Sequence, residues 1–353
     1  MLLRKIKFCN KKILNNSNFS LKPLLPLNKN LKAINSRNIS GILLLDKALV
    51  ASSNKAAQSI KRLFSATKCG HTGTLDPMAT GLLPLCLGEA TKFSAMLLGA
   101  DKTYQATLIL GYLSTTGDTE GEISKAIDGD CCAPTRQYCD RILTQFIGTI
   151  TQIPPMYSAL KYQGKPLYAY ARDGKTIERK ARQVQIYQLH IESLQENKLC
   201  LTVHCSTGTY IRTLAEDIGK ALGYGGAYLT QLRRIRIDCF DITQAQTFAA
   251  LENLDTVSRD RYLLPIDCLL QKFQAIVLDD AAVLHITQGR IVSGQLKNTL
   301  SKDTSVRLYN SQQQFLGLGM VTHDQKIIAK RLLATHNTKL SSSEHKVHCT
   351  NHT

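Results

Sequence analysis

The chain has 353 residues, enough for about two domains at ~150 residues each. A hydrophobic content of 43% and a charged content of 20% describe an ordinary soluble globular protein, and no apolar run approaches the ~18 residues of a membrane span. The formal net charge of +17 points to an anionic partner such as nucleic acid, although residues 1–40 hold nine Lys or Arg and no Asp or Glu. The other 313 residues keep 35 of the 44 basic side chains and all 27 acidic ones, a net of +8.

In chain order, the Lys- and Asn-rich leader over residues 1–38 comes first. Its first 14 residues pattern as a cationic amphipathic helix, with Leu2 or Leu3, Ile6 and Ile13 on one side, similar to an organelle transit peptide with Lys in place of Arg. The favoured reading is a disordered basic arm and a cytoplasmic protein; organelle targeting is the alternative. "SGILLLDK" predicts a strand over 41–46. "SSNKAAQSIKRLFSA" predicts a helix capped by Ser52 or Ser53. "GLLPLCLG" reads as a strand, "EATKFSAMLLGA" as a helix, "KTYQATLILGY" as a strand and "TRQYCDRILTQFIG" as a helix. In "VQIYQLHIESLQENKLCLTVHC", Leu199, Leu201 and Val203 alternate with Cys200, Thr202 and His204, which predicts a hairpin turning at Glu196-Asn197. "YIRTLAEDIGKALG" is a helix with Ile211, Leu214, Ile218 and Leu222 on one face and Gly223 at its end. "LRRIRID" is a basic strand. With no βαβ period, this mixture predicts an α+β sheet fold.

"LLPIDCLLQKF" marks a boundary between a domain over 39–270 and a small β-rich module over 273–335. In the module, "DDAAVLHITQGRIV" predicts a helix ended by Gly289, followed by strands in "SVRLYN", "FLGLGMVT" and "KIIAKRL". Residues 336–353 read as a disordered tail; its His345, His348, Cys349 and His352 allow a metal site, but a frayed terminus is the favoured reading. The eleven cysteines form no Cys-x-x-Cys, and their odd number in a long chain favours reduced thiols.

The segment "GHTGTLDPMATG", residues 70–81, looks like a phosphate loop. It lacks the Lys of a Walker A loop and the G-x-G-x-x-G of a dinucleotide loop, and no metal-binding pattern accompanies it. No Ser or Cys stands beside a base as in a hydrolase elbow. Asp76 remains, held extended by Pro77. Asp-Pro pairs commonly just open a turn. A lone carboxylate also serves as nucleophile or base at a sugar carbon without a cofactor, and the glycines leave room for an RNA strand to come close.

"GHTGTLDPMATGLLPLCLGEATKF" closely resembles the catalytic motif of the TruB-type tRNA pseudouridine synthases. Further matches follow in the family's order: "LLLDK" at 43–47, "DKTY" at 101–104, "PPMYSALKYQGKPLYAYAR" at 154–172, "GTYIRTLAEDIG" at 208–219 and "LRRI" at 232–235. The resemblance spans about residues 40–335. It implies a mixed, largely antiparallel pseudouridine-synthase sheet with flanking helices and a C-terminal PUA-like RNA-binding domain. It implies isomerisation of the uridine at position 55, in the T arm of tRNA, by base flipping, with no metal or cofactor. It places the catalytic carboxylate on Asp76 and an RNA-contacting histidine on His71. It places the tyrosine that packs on the base on Tyr104, a segment beneath it on Tyr210 and Arg212, and an apolar pocket wall on Leu232. Arg212 is expected to pair with Asp76, or alternatively with Glu216 one turn on. Lys47 is expected to bind RNA, and Arg233, Arg234 and Arg236 are expected at RNA phosphates, with solvent exposure of the arginines as the alternative. The expected partner is tRNA, at its T arm and acceptor region, bound by a monomer without a membrane. Two other classes are weighed: a tRNA-folding chaperone that needs no catalysis, and the catalytic subunit of a guide-RNA-directed complex. The "PPMYSALKYQGKPLYAYAR" stretch resembles the stand-alone bacterial type instead. One departure stands out in "LDKALVASSN", where Ala48 and Val50 replace the family's usual proline and glycine.

Overall fold

The computed structural model describes residues 36–127, 132–294 and 299–334. The leader helix, Cys131 and the His-rich tail lie outside the described residues. The described chain is already anchored at Arg37, whose Nη1 donates to Asp260 Oδ1 at 3.1 Å.

The first elements are β1 (Gly41–Lys47), α1 (Ser53–Leu63), β2 (Cys69–His71), β3 (Ala79–Leu87), β4 (Lys102–Leu110) and the short ribbon β5 (Tyr112–Ser114) with β6 (Ile123–Lys125). Then come α2 (Arg136–Leu143), β7 (Gly148–Gln152), a small hairpin of β8 (Lys161–Tyr162) and β9 (Lys165–Pro166), and α3 (Leu167–Arg172). They are followed by β10 (Arg182–Gln195), β11 (Lys198–Cys205), α4 (Ile211–Ala221) and β12 (Ala227–Ile237). The main sheet runs Gln246–Thr247, β1, β3, β12, β4, β11, β10, β7. β3 pairs with β12 in parallel and β1 pairs in parallel with Gln246–Thr247; the remaining neighbours on this path are antiparallel. The expected mixed, largely antiparallel α+β sheet is the observed one.

Helix α4 buries Ile211, Leu214 and Ile218 against one face of the sheet, in a core shared with Ile60 of α1 and with Leu108, Leu201 and Leu229 of the strands. That is the apolar face read from the 3.6-residue period. The β10–β11 hairpin turns at Glu196, whose φ of +52° closes the tight connection to Asn197. The predicted helix at "EATKFSAMLLGA" winds instead as a 3₁₀ helix over Gly88–Leu97. The Thr91 and Ser94 hydroxyls donate to carbonyls three residues back, at Gly88 and Thr91, which competes with α-helical amide bonds. The strand predicted at "LRRIRID" begins earlier, at Ala227.

Beyond the main sheet, Ala275–Val277, Ser305–Tyr309, Phe315–Val321 and Ile327–Leu332 form a four-stranded sheet. Ile276, Ile286, Val306, Leu308, Val321 and Ile327 fill its own core. Phe315 and Leu318 pack toward Phe93 and Leu97, so this small sheet lies against the second face of the main one.

Candidate active site

The loop between β2 and β3 carries Asp76 to the wall of a cavity of about 280 Å³. Tyr104 from β4, Leu232 and Arg234 from β12, and Tyr210 and Arg212 at the start of α4 line the same cavity. Six of the expected site residues, drawn from positions 76 to 234, therefore meet around one space.

Arg212 organises the polar end. Its side chain is 5% exposed, and Nη2 lies 3.0 Å from Asp76 Oδ2. The same guanidinium donates to Thr116 O at 2.9 Å and Tyr157 O at 2.8 Å, and Nη1 stands 3.7 Å from Asp118 Oδ2. A planar fork with several fixed acceptors holds its orientation in a way a lysine does not. The alternative partner, Glu216, pairs with Lys220 instead. Asp76 keeps 34% of its side chain open to the cavity. Burial by the surrounding protein pushes its carboxyl above the ordinary carboxylate value, Arg212 pulls it back down, and Asp118 adds to the rise. The carboxylate is thus held in a fixed direction by Arg212 and partly stripped of water.

Tyr104 is 9% exposed, and burial raises its phenol against the pull of the neighbouring Arg234. It sits directly across from Arg234 in the β4–β12 ladder, and Leu232 lies two residues before that point. Ring, apolar side chain and guanidinium therefore share the cavity face, a flat surface suited to a nucleobase. Tyr210 precedes the first turn of α4; its N–H donates to Gln152 Oε1 at 3.0 Å, and the Arg182 guanidinium lies 4.8 Å above its ring.

His71 stands outside the cavity lining, at the end of β2. It is half-buried, and burial together with the nearby Arg234 lowers its pKa, which favours the neutral imidazole. Its Nδ1 is buried without a hydrogen-bond partner among the described residues.

Three expectations are corrected. Lys47 is 1% exposed and donates to Ala51 O at 2.7 Å and Ala48 O at 3.0 Å, so it is enclosed in its own loop where an RNA-facing side chain was expected. Arg234 is fully buried, with Nε on Leu82 O at 2.8 Å, and forms part of the cavity floor where a solvent-facing phosphate contact was expected. The glycines of the loop do not all make room for RNA. A Cβ on Gly81, whose φ is +101°, would lie 2.3 Å from Arg234 O, so Gly81 is what lets β3 close on β12. Gly70 does face open space. Arg233 remains at the surface, paired with Asp46 at 2.7 Å.

Asp118 is the residue that reading the sequence missed. It is 1% exposed and accepts from the Glu120 N–H at 3.0 Å and from the Thr116 hydroxyl. In "STTGDTEG" it looks like any turn aspartate, and only the fold, which brings it to Arg212 from 94 positions away, reveals the pairing. Among the described residues, no group of three or more His, Cys, Asp or Glu is arranged to hold a metal ion.

The sequence families that match this chain agree with that geometry. The N-terminal domain of the TruB family pseudouridylate synthases matches residues 61–211. The tRNA pseudouridylate synthase B C-terminal domain matches 212–271, and the C-terminal domain of pseudouridine synthase II TruB matches 275–333. The tRNA pseudouridine synthase B of Nitrosospira multiformis is 54% identical over 301 residues, covering 84% of this chain and 96% of the relative. Those of Nitrosomonas europaea and Neisseria gonorrhoeae are 51% identical over 83% of the chain and 47% over 87%. Among solved structures, a Cbf5-Nop10-Gar1 complex aligns with a TM-score of 0.63 at 25% identity, over 83% of this chain and 84% of that one. An H/ACA RNP bound to a substrate RNA aligns at the same TM-score with 20% identity, over 84% and 86%, a likeness of fold.

Proposed function

The chain belongs to the TruB family of pseudouridylate synthases, and from that premise we propose that it isomerises uridine in tRNA to pseudouridine, at position 55 of the T arm, with Asp76 as the catalytic carboxylate. The observation that carries the assignment of Asp76 is its 3.0 Å pair with the buried Arg212 at the wall of a cavity faced by Tyr104 and Leu232.

The reaction moves one bond. The N1–C1′ glycosidic bond of the uridine breaks, the uracil turns, and a C5–C1′ bond forms; the proton lost from C5 is matched by one gained at N1. The target base must first leave its stack, at a cost of about a few kcal/mol. Stacking on Tyr104 and contact with Leu232 offset that cost. Addition of a carboxylate oxygen to C1′ and removal of the C2′ proton both demand an ionised carboxylate fixed beside the ribose. Arg212 supplies the fixing and the counter-charge. The four-stranded C-terminal sheet takes the acceptor end of the tRNA in this reading, and His71, at the end of β2, contacts the RNA opened at the target. The enzyme acts as a cytoplasmic monomer. A chaperone role without chemistry would leave the Asp76–Arg212 pair without a use.

The test is turnover of an unmodified tRNA transcript by the purified protein without added cofactor, read as pseudouridine at each position. Conversion at position 55 that disappears in Asp76→Asn supports the proposal. Undiminished conversion by Asp76→Asn, or conversion at another site, overturns it.

A further inference from the structure

The first residue of α1 and the loop before it grip the Asp76 loop from both sides. On the N-terminal side, the Ser53 hydroxyl donates to Leu75 O at 2.9 Å and accepts from the Leu75 N–H at 2.7 Å. One side chain thus serves both backbone groups of the residue immediately before Asp76, as a neighbouring strand would. Ser53 is 2% exposed and Leu75 3% exposed, so water is a poor substitute. On the C-terminal side, the Val50 N–H donates to Pro77 O at 3.0 Å, and Lys47 Nζ lies 3.5 Å from the same oxygen.

The backbone at Val50 shows that this grip is imposed by the fold. Val50 has a φ of +69° and is 79% exposed. It is the one β-branched residue among the described non-glycine residues with positive φ. A β-branched side chain is disfavoured in this left-handed region, and such a conformation persists only where surrounding contacts over-determine it. The bond to Pro77 O and the Lys47 anchor to Ala48 O and Ala51 O are those contacts.

We propose that Ser53 is a positioning residue for catalysis: through the two backbone groups of Leu75 it fixes the direction in which Asp76 presents its carboxylate to Arg212 and to the ribose. The inference rests on Asp76 being the catalytic carboxylate. Ser52, its neighbour, separates this role from plain helix stability. Ser52 is exposed, and its side chain caps α1 by accepting from the Lys55 N–H at 3.2 Å, with no reach to Leu75.

The experiment compares Ser53→Ala, Ser52→Ala and Asp76→Asn for kcat, KM and tRNA affinity. Ser53→Ala lowers kcat by roughly ten- to a hundredfold, because a loosened reactive group loses its alignment. Its KM and tRNA affinity stay within about threefold, and the acidic limb of its kcat–pH profile moves as Asp76 changes its distance from Arg212. Ser52→Ala lowers the melting temperature and leaves kcat in place. Hydrogen exchange at the Leu75 amide of the unaltered protein provides a readout that needs no variant: it is as slow as in β3. Full kcat in Ser53→Ala, equal losses in both serine variants, or fast exchange at Leu75 overturns the positioning role. Turnover by Asp76→Asn would instead overturn the catalytic reading on which it stands.

Discussion

Replacing Arg212 by methionine removes the charge of the site while keeping much of the side-chain length. Its Nη2 lies 3.0 Å from Asp76 Oδ2, and the guanidinium also serves two backbone carbonyls. A hydrogen bond to a charged group contributes about 1.5–3 kcal/mol, and each 1.36 kcal/mol is about one pKa unit. Asp76 is already raised by burial, with Arg212 the largest influence in the opposite direction. The acidic limb of the kcat–pH profile therefore moves up by roughly one to two pH units in Arg212→Met. At neutral pH, loss of the oriented carboxylate and of its ionised fraction together lower kcat by at least about a hundredfold. The variant also leaves the buried Asp118 without its cation; breaking a buried pair costs about 3–5 kcal/mol, and the 3.7 Å separation places this one at the low end. Single-turnover conversion of unmodified tRNA over a pH series measures the first effect, and calorimetry measures the second. An acidic limb that stays where it is, with kcat reduced or not, would refute the assignment of Arg212 as the group holding Asp76 ionised.

Two further outcomes follow from the structure. Gly81→Ala places a Cβ 2.3 Å from Arg234 O at a φ of +101°. It destabilises the protein by about 3 kcal/mol or more, seen as a fall in melting temperature of several degrees, and an unchanged melting temperature would contradict the close approach of β3 to β12. Lys47, pushed down to about 8 by burial, carries a pH signature. The unfolded chain binds the proton more tightly than the folded one, so the stability of the unaltered protein rises with pH between about 8 and the ordinary lysine value. Lys47→Met removes this contribution, and the stability difference between unaltered protein and variant grows in the unaltered protein's favour across that window. Parallel denaturant titrations of the two proteins at each pH measure the difference, and a constant gap would sink the argument.

Much of this molecule is determined locally. The apolar face of α4 follows from the 3.6-residue spacing of Ile211, Leu214 and Ile218, and the β10–β11 hairpin from the alternation of Leu199, Leu201 and Val203 around a two-residue turn. Asp76 stood out because the loop around it fails every phosphate- or metal-binding pattern. These signals depend on neighbours a few residues apart, so a linear chain displays them. Asp118, Ser53 and the true positions of Lys47 and Arg234 depend on strand register and on contacts across long stretches of chain. Arg234 is buried because β12 aligns it with Tyr104 on one side and Gly81 on the other, while Arg233, one residue earlier, points to the opposite face and keeps its exposure. Alternation along β12 says that the two arginines diverge. Which of them enters the cavity floor is decided by the parallel pairing of β3 with β12, through a glycine 153 residues away in the chain.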